Sequence, residues 1–87
     1  MNYKLIDLSA VTTKEELFDT IEDGLDLPVY FGKNLDALHD MLAHSDMVLE
    51  IHGFDEMKEK LGGYADALAG MLRDTEEESK SFKVIIR

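Results

Sequence analysis

The stretch Leu27-Pro28-Val29-Tyr30-Phe31-Gly32-Lys33-Asn34-Leu35-Asp36-Ala37-Leu38-His39-Asp40 opens as a stiff aromatic turn and closes as a capped helix. Pro28 fixes one backbone dihedral and biases Leu27 toward an extended conformation. Gly32 permits a sharp turn, and Asn34 is a strong N-cap whose side chain can hold an orphan N–H of the first helical turn. Beyond that cap, Leu35, Leu38, Met41 and Leu42 share one side of a helix at the 3.6-residue period. Asp36 and Asp40 stand four apart on the opposite side, beside His39, so both carboxylates point outward together. A loop aromatic and two acids on one rigid scaffold suit contact with something positively charged.

Outward from this stretch, the chain alternates strand-like and helix-like segments. Tyr3-Lys4-Leu5-Ile6-Asp7-Leu8 alternates imperfectly and reads as a first strand. Thr13 and Glu16 form a capping box, after which Leu17, Phe18, Ile21 and Leu25 follow helical spacing, with Gly24 as the expected stop. Met47-Val48-Leu49-Glu50-Ile51 is short and apolar, a second strand. Phe54, Met57 and Leu61 space out a third helix that breaks at Gly62-Gly63. Tyr64, Leu68, Met71 and Leu72 mark a fourth, weakened by Gly70. Residues 75–81 read as an acidic connector, the charged run 74–78 as the solvated end of a helix, and Phe82-Lys83-Val84-Ile85-Ile86 as a closing strand. Strands separated by helices require crossovers, so the expected fold is α/β, with a three-stranded parallel sheet packed against about four helices. No repeat or linker divides the chain, and one domain over residues 1–87 is expected.

Composition narrows the classes further. Nineteen acidic residues against nine basic ones leave a formal charge of −10 on 87 residues. Phosphates need cationic partners, so nucleic acid is not expected as a direct ligand. A basic protein partner is favoured instead, through a negative potential that speeds encounter and fades with salt, although such charge also serves plain solubility. Cysteine is absent, no apolar run is long enough to span a membrane, and the N-terminus lacks the apolar core of a signal peptide. A cytoplasmic protein without membrane contact is the expectation.

Several residues have a plain structural reading beside a functional one. Asp36, in the first helical turn, favours the helix dipole wherever it points. Asp40 is mid-helix, where Asp is a poor helix former, and no lysine or arginine stands at 36, 37, 43 or 44 to pair with it. It is either a solvated polar position or a contact residue. Of Tyr30 and Phe31, one is expected under the loop and the other outward. Asp36, Asp40 and His44 fall at i, i+4 and i+8, but no second element supplies a fourth ligand and no metal site is expected. The sequence holds no Gly-rich phosphate loop, no cysteine nucleophile and no nucleophile-elbow serine, and two acids on an open helix make no acid–base pocket. No enzyme and no cofactor are expected.

The pattern Leu-Pro, two aromatics, Gly, any residue, Asn-Leu-Asp-Ala-Leu, any residue, Asp over residues 27–40 resembles the signature of the barstar family, intracellular inhibitors of the secreted ribonuclease barnase. The order of strands and helices along the whole chain is similar to that family as well. The resemblance implies a ribonuclease inhibitor that presents its second helix and the preceding loop to the nuclease, its carboxylates standing in for RNA phosphates. It implies Tyr30, Phe31, Gly32, Asn34, Asp36, Ala37, His39, Asp40 and Asp74 as the partner-binding set. Asp40 would be the dominant anion, Asp36 would meet a neighbouring base, Tyr30 would pack on the catalytic histidine, and Asp74, after Arg73, would be a rim contact. The chain departs from the family prototype in having His39 and a residue near Ser45 in place of two tryptophans, Phe31 in place of a tyrosine, and no cysteines. The alternative is a barstar-like interaction module whose partner is not a ribonuclease.

Overall fold

Alternation in the second strand sets the layer order of the molecule. Met47, Leu49 and Ile51 turn inward, and Val48, Glu50 and His52 turn to the other face. The computed structural model describes residues 2–28 and 31–87. Its elements run β1 (Asn2–Asp7), α1 (Lys14–Leu25), α2 (Leu35–Ala43), β2 (Met47–His52), α3 (Phe54–Leu61), α4 (Gly63–Glu78) and β3 (Phe82–Ile86). The three strands are parallel, as the alternation of strands and helices predicts, and lie side by side in the order β1-β2-β3. Register places Ile6 beside Ile51 and Ile51 beside Ile86, with Leu49 next to Val84. Their inner side chains join Leu17, Phe18, Ile21 and Leu25 of α1, Leu38 and Leu42 of α2, Met57 of α3, and Leu68 and Leu72 of α4 in one core.

Local chemistry accounts for most of the element ends. The Thr13 side chain caps α1, its Oγ1 accepting from the Glu16 N–H at 3.1 Å. The return half of the box closes one residue early. The Glu16 carboxylate accepts from the Thr12 N–H and hydroxyl at 2.8 and 2.7 Å, and these bonds lower its pKa. The expected stop at Gly24 is incorrect. α1 ends at Leu25, and Asp26 caps it in the left-handed region, φ 56°. Gly24 has a packing role: a Cβ there would stand 3.0 Å from the Ile6 side chain, so its absence lets helix and strand approach. β1 spans one residue earlier than the alternation suggests, although Leu8 beyond it is fully buried and still donates its N–H to His52.

The acidic connector also begins later than expected, because α4 runs on through Glu78. Thr75 makes this possible: it is fully buried, and its hydroxyl bonds back to the Met71 carbonyl at 2.8 Å. Glu76 accepts the Val84 N–H at 2.9 Å, satisfying a backbone donor of the terminal strand. No helix among the described residues is long and apolar enough to cross a membrane.

Two glycines are predicted to respond oppositely to alanine. Gly53 has φ +74°, and a Cβ would lie 2.4 Å from the Ser9 nitrogen, so Gly53→Ala is expected to destabilise by about 2 kcal/mol or more. Gly70 lies in α4 with open space around it, so Gly70→Ala is expected to stabilise by about 0.5–1 kcal/mol. Urea unfolding of both variants checks the pair, and a stable Gly53→Ala protein would contradict the close approach.

Candidate functional site

The loop before α2 is held from below and from both sides. Phe31 is buried and packs on Phe18 of α1 with ring centroids 6.2 Å apart at 56°. Its N–H donates to the Pro28 carbonyl at 2.9 Å. Lys33 takes the left-handed region, φ 50°, and its ammonium bonds Asp19 of α1 at 2.8 Å, which raises the lysine pKa. Asn34 serves both ends of the loop. Its Oδ1 accepts from the Ala37 N–H at 2.8 Å as the expected cap, and its Nδ2 donates to the Gly32 carbonyl at 3.1 Å. Gly32 is exposed above this junction, where a Cβ would stand 3.2 Å from the Ala37 Cβ.

Phe31, one of the expected partner-binding set, is the aromatic of the pair that lies under the loop. Its ring supports the loop, because the apolar side chain gains more under the loop than above it. Tyr30, the other aromatic, lies outside the described residues. Ala37 is half-buried on the loop side of α2.

Asp36 and Asp40 project from the solvent side of α2, as their spacing requires. The Asp40 side chain is 82% exposed, and its ion-pair neighbour is His39, at 3.7 Å. Among the described residues neither acid is paired with a lysine or arginine. Asp74, on α4, is exposed too. Two concavities of about 310 and 280 Å³ lie along α1, and Asp36 and Asp40 line neither.

His39 occupies the seam between α2 and α4. Its Nε2 is 2.6 Å from Glu78 Oε2 and its Nδ1 faces Asp40. The hydrogen bond to Glu78 raises the His39 pKa above its ordinary value, with Asp40 adding to it and partial burial opposing it. Glu78 is absent from the residues read off the sequence, since it lies 39 positions away within an unremarkable acidic run. Lys33 is missed for the same reason: its partner Asp19 stands 14 positions earlier, on α1. The remaining histidine of the i, i+4, i+8 series turns away from the acids, with His44 Nδ1 on the Asp40 backbone carbonyl at 2.8 Å. Among the described residues no group of three His, Asp or Glu side chains could hold a metal ion.

Together these features define a small α/β protein with an acidic, convex helix face beside a braced loop. The sequence model of the family described as "Barstar (barnase inhibitor)" matches residues 1–87. A Bacillus subtilis (strain 168) protein named "Putative ribonuclease inhibitor YrdF" is 40% identical over 76 residues, covering 83% of this chain and 84% of that protein. The chain belongs to the Barstar family. At family level its function is ribonuclease inhibition, and the members of that family are inhibitors, not enzymes.

The His39–Glu78 pair predicts a titration effect. A histidine whose pKa is raised on folding contributes stability that is fully present below its unfolded value of 6.5 and is lost as pH rises through the folded value. Glu78→Gln is expected to move the His39 midpoint down toward 6.5, followed by the NMR shifts of its ring protons. An unmoved midpoint would show that the Glu78 contact is absent in solution.

Proposed function

We propose that this chain is a cytoplasmic inhibitor that closes the active site of a basic, secreted, barnase-type ribonuclease, one to one, by presenting α2 and the loop before it. Asp40 enters the pocket that holds an RNA phosphate, and Asp36 meets a neighbouring base. The backbone of Gly32, Asn34 and Ala37 shapes the loop side, with Tyr30 on the catalytic histidine, His39 at the edge and Asp74 on the rim. The observation that supports this reading most is the 82% exposure of Asp40, with no lysine or arginine paired to it among the described residues. Asp36 and Asp40 repel each other at i, i+4 by a few tenths of a kcal/mol. A cationic cleft relieves that repulsion, and the braced loop limits the entropy lost on docking. With a formal charge of −10, the chain also attracts a basic enzyme over a distance.

Mixing the protein with purified barnase-type ribonucleases and following RNA cleavage tests the proposal. Activity is expected to vanish at equimolar protein for at least one of them. Undiminished cleavage across several would transfer the family fold to a partner that is not a nuclease. Asp40→Ala is expected to weaken binding by about 3–5 kcal/mol, because it strands a buried cation in the cleft. Asp74→Ala, at the rim, is expected to cost about 1 kcal/mol or less. Titration calorimetry on both variants measures the difference, and equal losses would remove Asp40 from the centre of the interface. Raising salt is expected to slow association in stopped-flow measurements, whereas a salt-independent rate would contradict steering.

A further inference from the structure

All-parallel sheets are ordinarily covered on both faces. Here the helices and their core occupy the inner face, while the outer face of the sheet presents three rows of side chains to solvent. Register makes them Tyr3, Val48 and Lys83; Leu5, Glu50 and Ile85; and Asp7, His52 and, one residue beyond β3, Arg87. Among the described residues, the large apolar side chains most open to water are Tyr3 at 58%, Leu5 at 55% and Ile85 at 37%, and all three stand on this face. Clustering of that kind marks an interaction surface, whereas the same residues scattered would not.

Charge separates this face from the rest of the molecule. Asp7 and Glu50 against Lys83 and Arg87 sum to zero, so the net charge of −10 resides elsewhere. Glu50 is largely covered, its side chain 14% exposed, and is ligated by the Tyr3 hydroxyl, His52 and the Arg87 Nε. These contacts hold its pKa down, the Tyr3 bond contributing most. Two copies of so acidic a chain can approach closely only through a surface like this one.

We infer that the outer sheet face is a weak, two-fold self-association surface. The arrangement of charges selects the axis. An axis parallel to the strands lays β1 over β3 of the second copy, so Leu5 meets Ile85, Asp7 meets Arg87, and the Tyr3 ring meets the Lys83 ammonium. β2 then lies over β2 of the second copy, and each Glu50, already paired with its own chain's Arg87, faces its equivalent. An axis perpendicular to the strands would instead set Lys83 against Arg87. Strand spacing makes the patch only about 14 by 17 Å, well short of a standard interface. The dimer is therefore reversible and concentration-dependent, and it leaves the α2 ridge open.

Sedimentation equilibrium on the intact chain tests the inference, with circular dichroism to establish that each variant folds. Apparent mass is expected to climb from 9.9 kDa toward twice that value between about 10 µM and about 1 mM, and to climb sooner in high salt, which screens the net repulsion. Leu5→Lys and, separately, Ile85→Glu are expected to shift the midpoint concentration at least tenfold upward. Combining them is expected to restore association, since the new charges face each other only across the two-fold. A chain that stays at 9.9 kDa up to about 1 mM, single variants that associate like the parent, or a double variant that stays monomeric would each overturn the arrangement.

Discussion

Packing of Phe31 on Phe18 is the constraint from which the rest of the acidic face follows. An aromatic buried under a loop takes the loop's freedom away at the point where the chain must turn into α2. With that ring fixed, the Pro28 carbonyl, the Asn34 side chain and the Lys33–Asp19 pair meet their partners without further ordering cost. The start of α2 is thereby set in direction as well as position, and with it the line along which Asp36 and Asp40 project. A face that must match a rigid cleft needs this kind of support, because flexible carboxylates would lose on docking much of what their charge contributes.

Electrostatics divide the molecule into unlike parts. On α2, Asp36 and Asp40 are exposed with no lysine or arginine paired to them among the described residues, a configuration that costs stability in the free protein. The outer sheet face does the reverse, enclosing Glu50 in a tyrosine, a histidine and an arginine. His39 stands at the border of the first part, and its contact with Glu78 joins the two helices across the acidic seam. Protonation there adds a positive charge beside Asp40, so the field of the ridge weakens as pH falls.

How far the sequence reveals this depends on the reach of each interaction. The Asn34 cap, the Thr13 cap and the hydrophobic periods are local, and the parallel sense of the strands follows from them together with the need for crossovers. Asp36 and Asp40 are legible because helical spacing alone places them. Tyr30 and Phe31 are legible only as a pair, since which ring turns inward depends on where Phe18 lies. Gly24 misleads because glycine serves equally as a helix stop and as a close-packing residue, and only Ile6 across the core distinguishes the two. Glu78 and Lys33 escape because their partners are 39 and 14 residues away. The open sheet face leaves a trace in the imperfect alternation of residues 3–8, where apolar residues fall on both faces of one strand.

The most direct measurement is an NMR map of the chain bound to a barnase-type ribonuclease, recorded by cross-saturation from the enzyme to the backbone amides. Transfer concentrated on Gly32, Asn34, Asp36, Ala37 and Asp40, with the amides of the sheet untouched, is what the account predicts. Transfer centred on β1 and β3, or spread evenly over the surface, would contradict it.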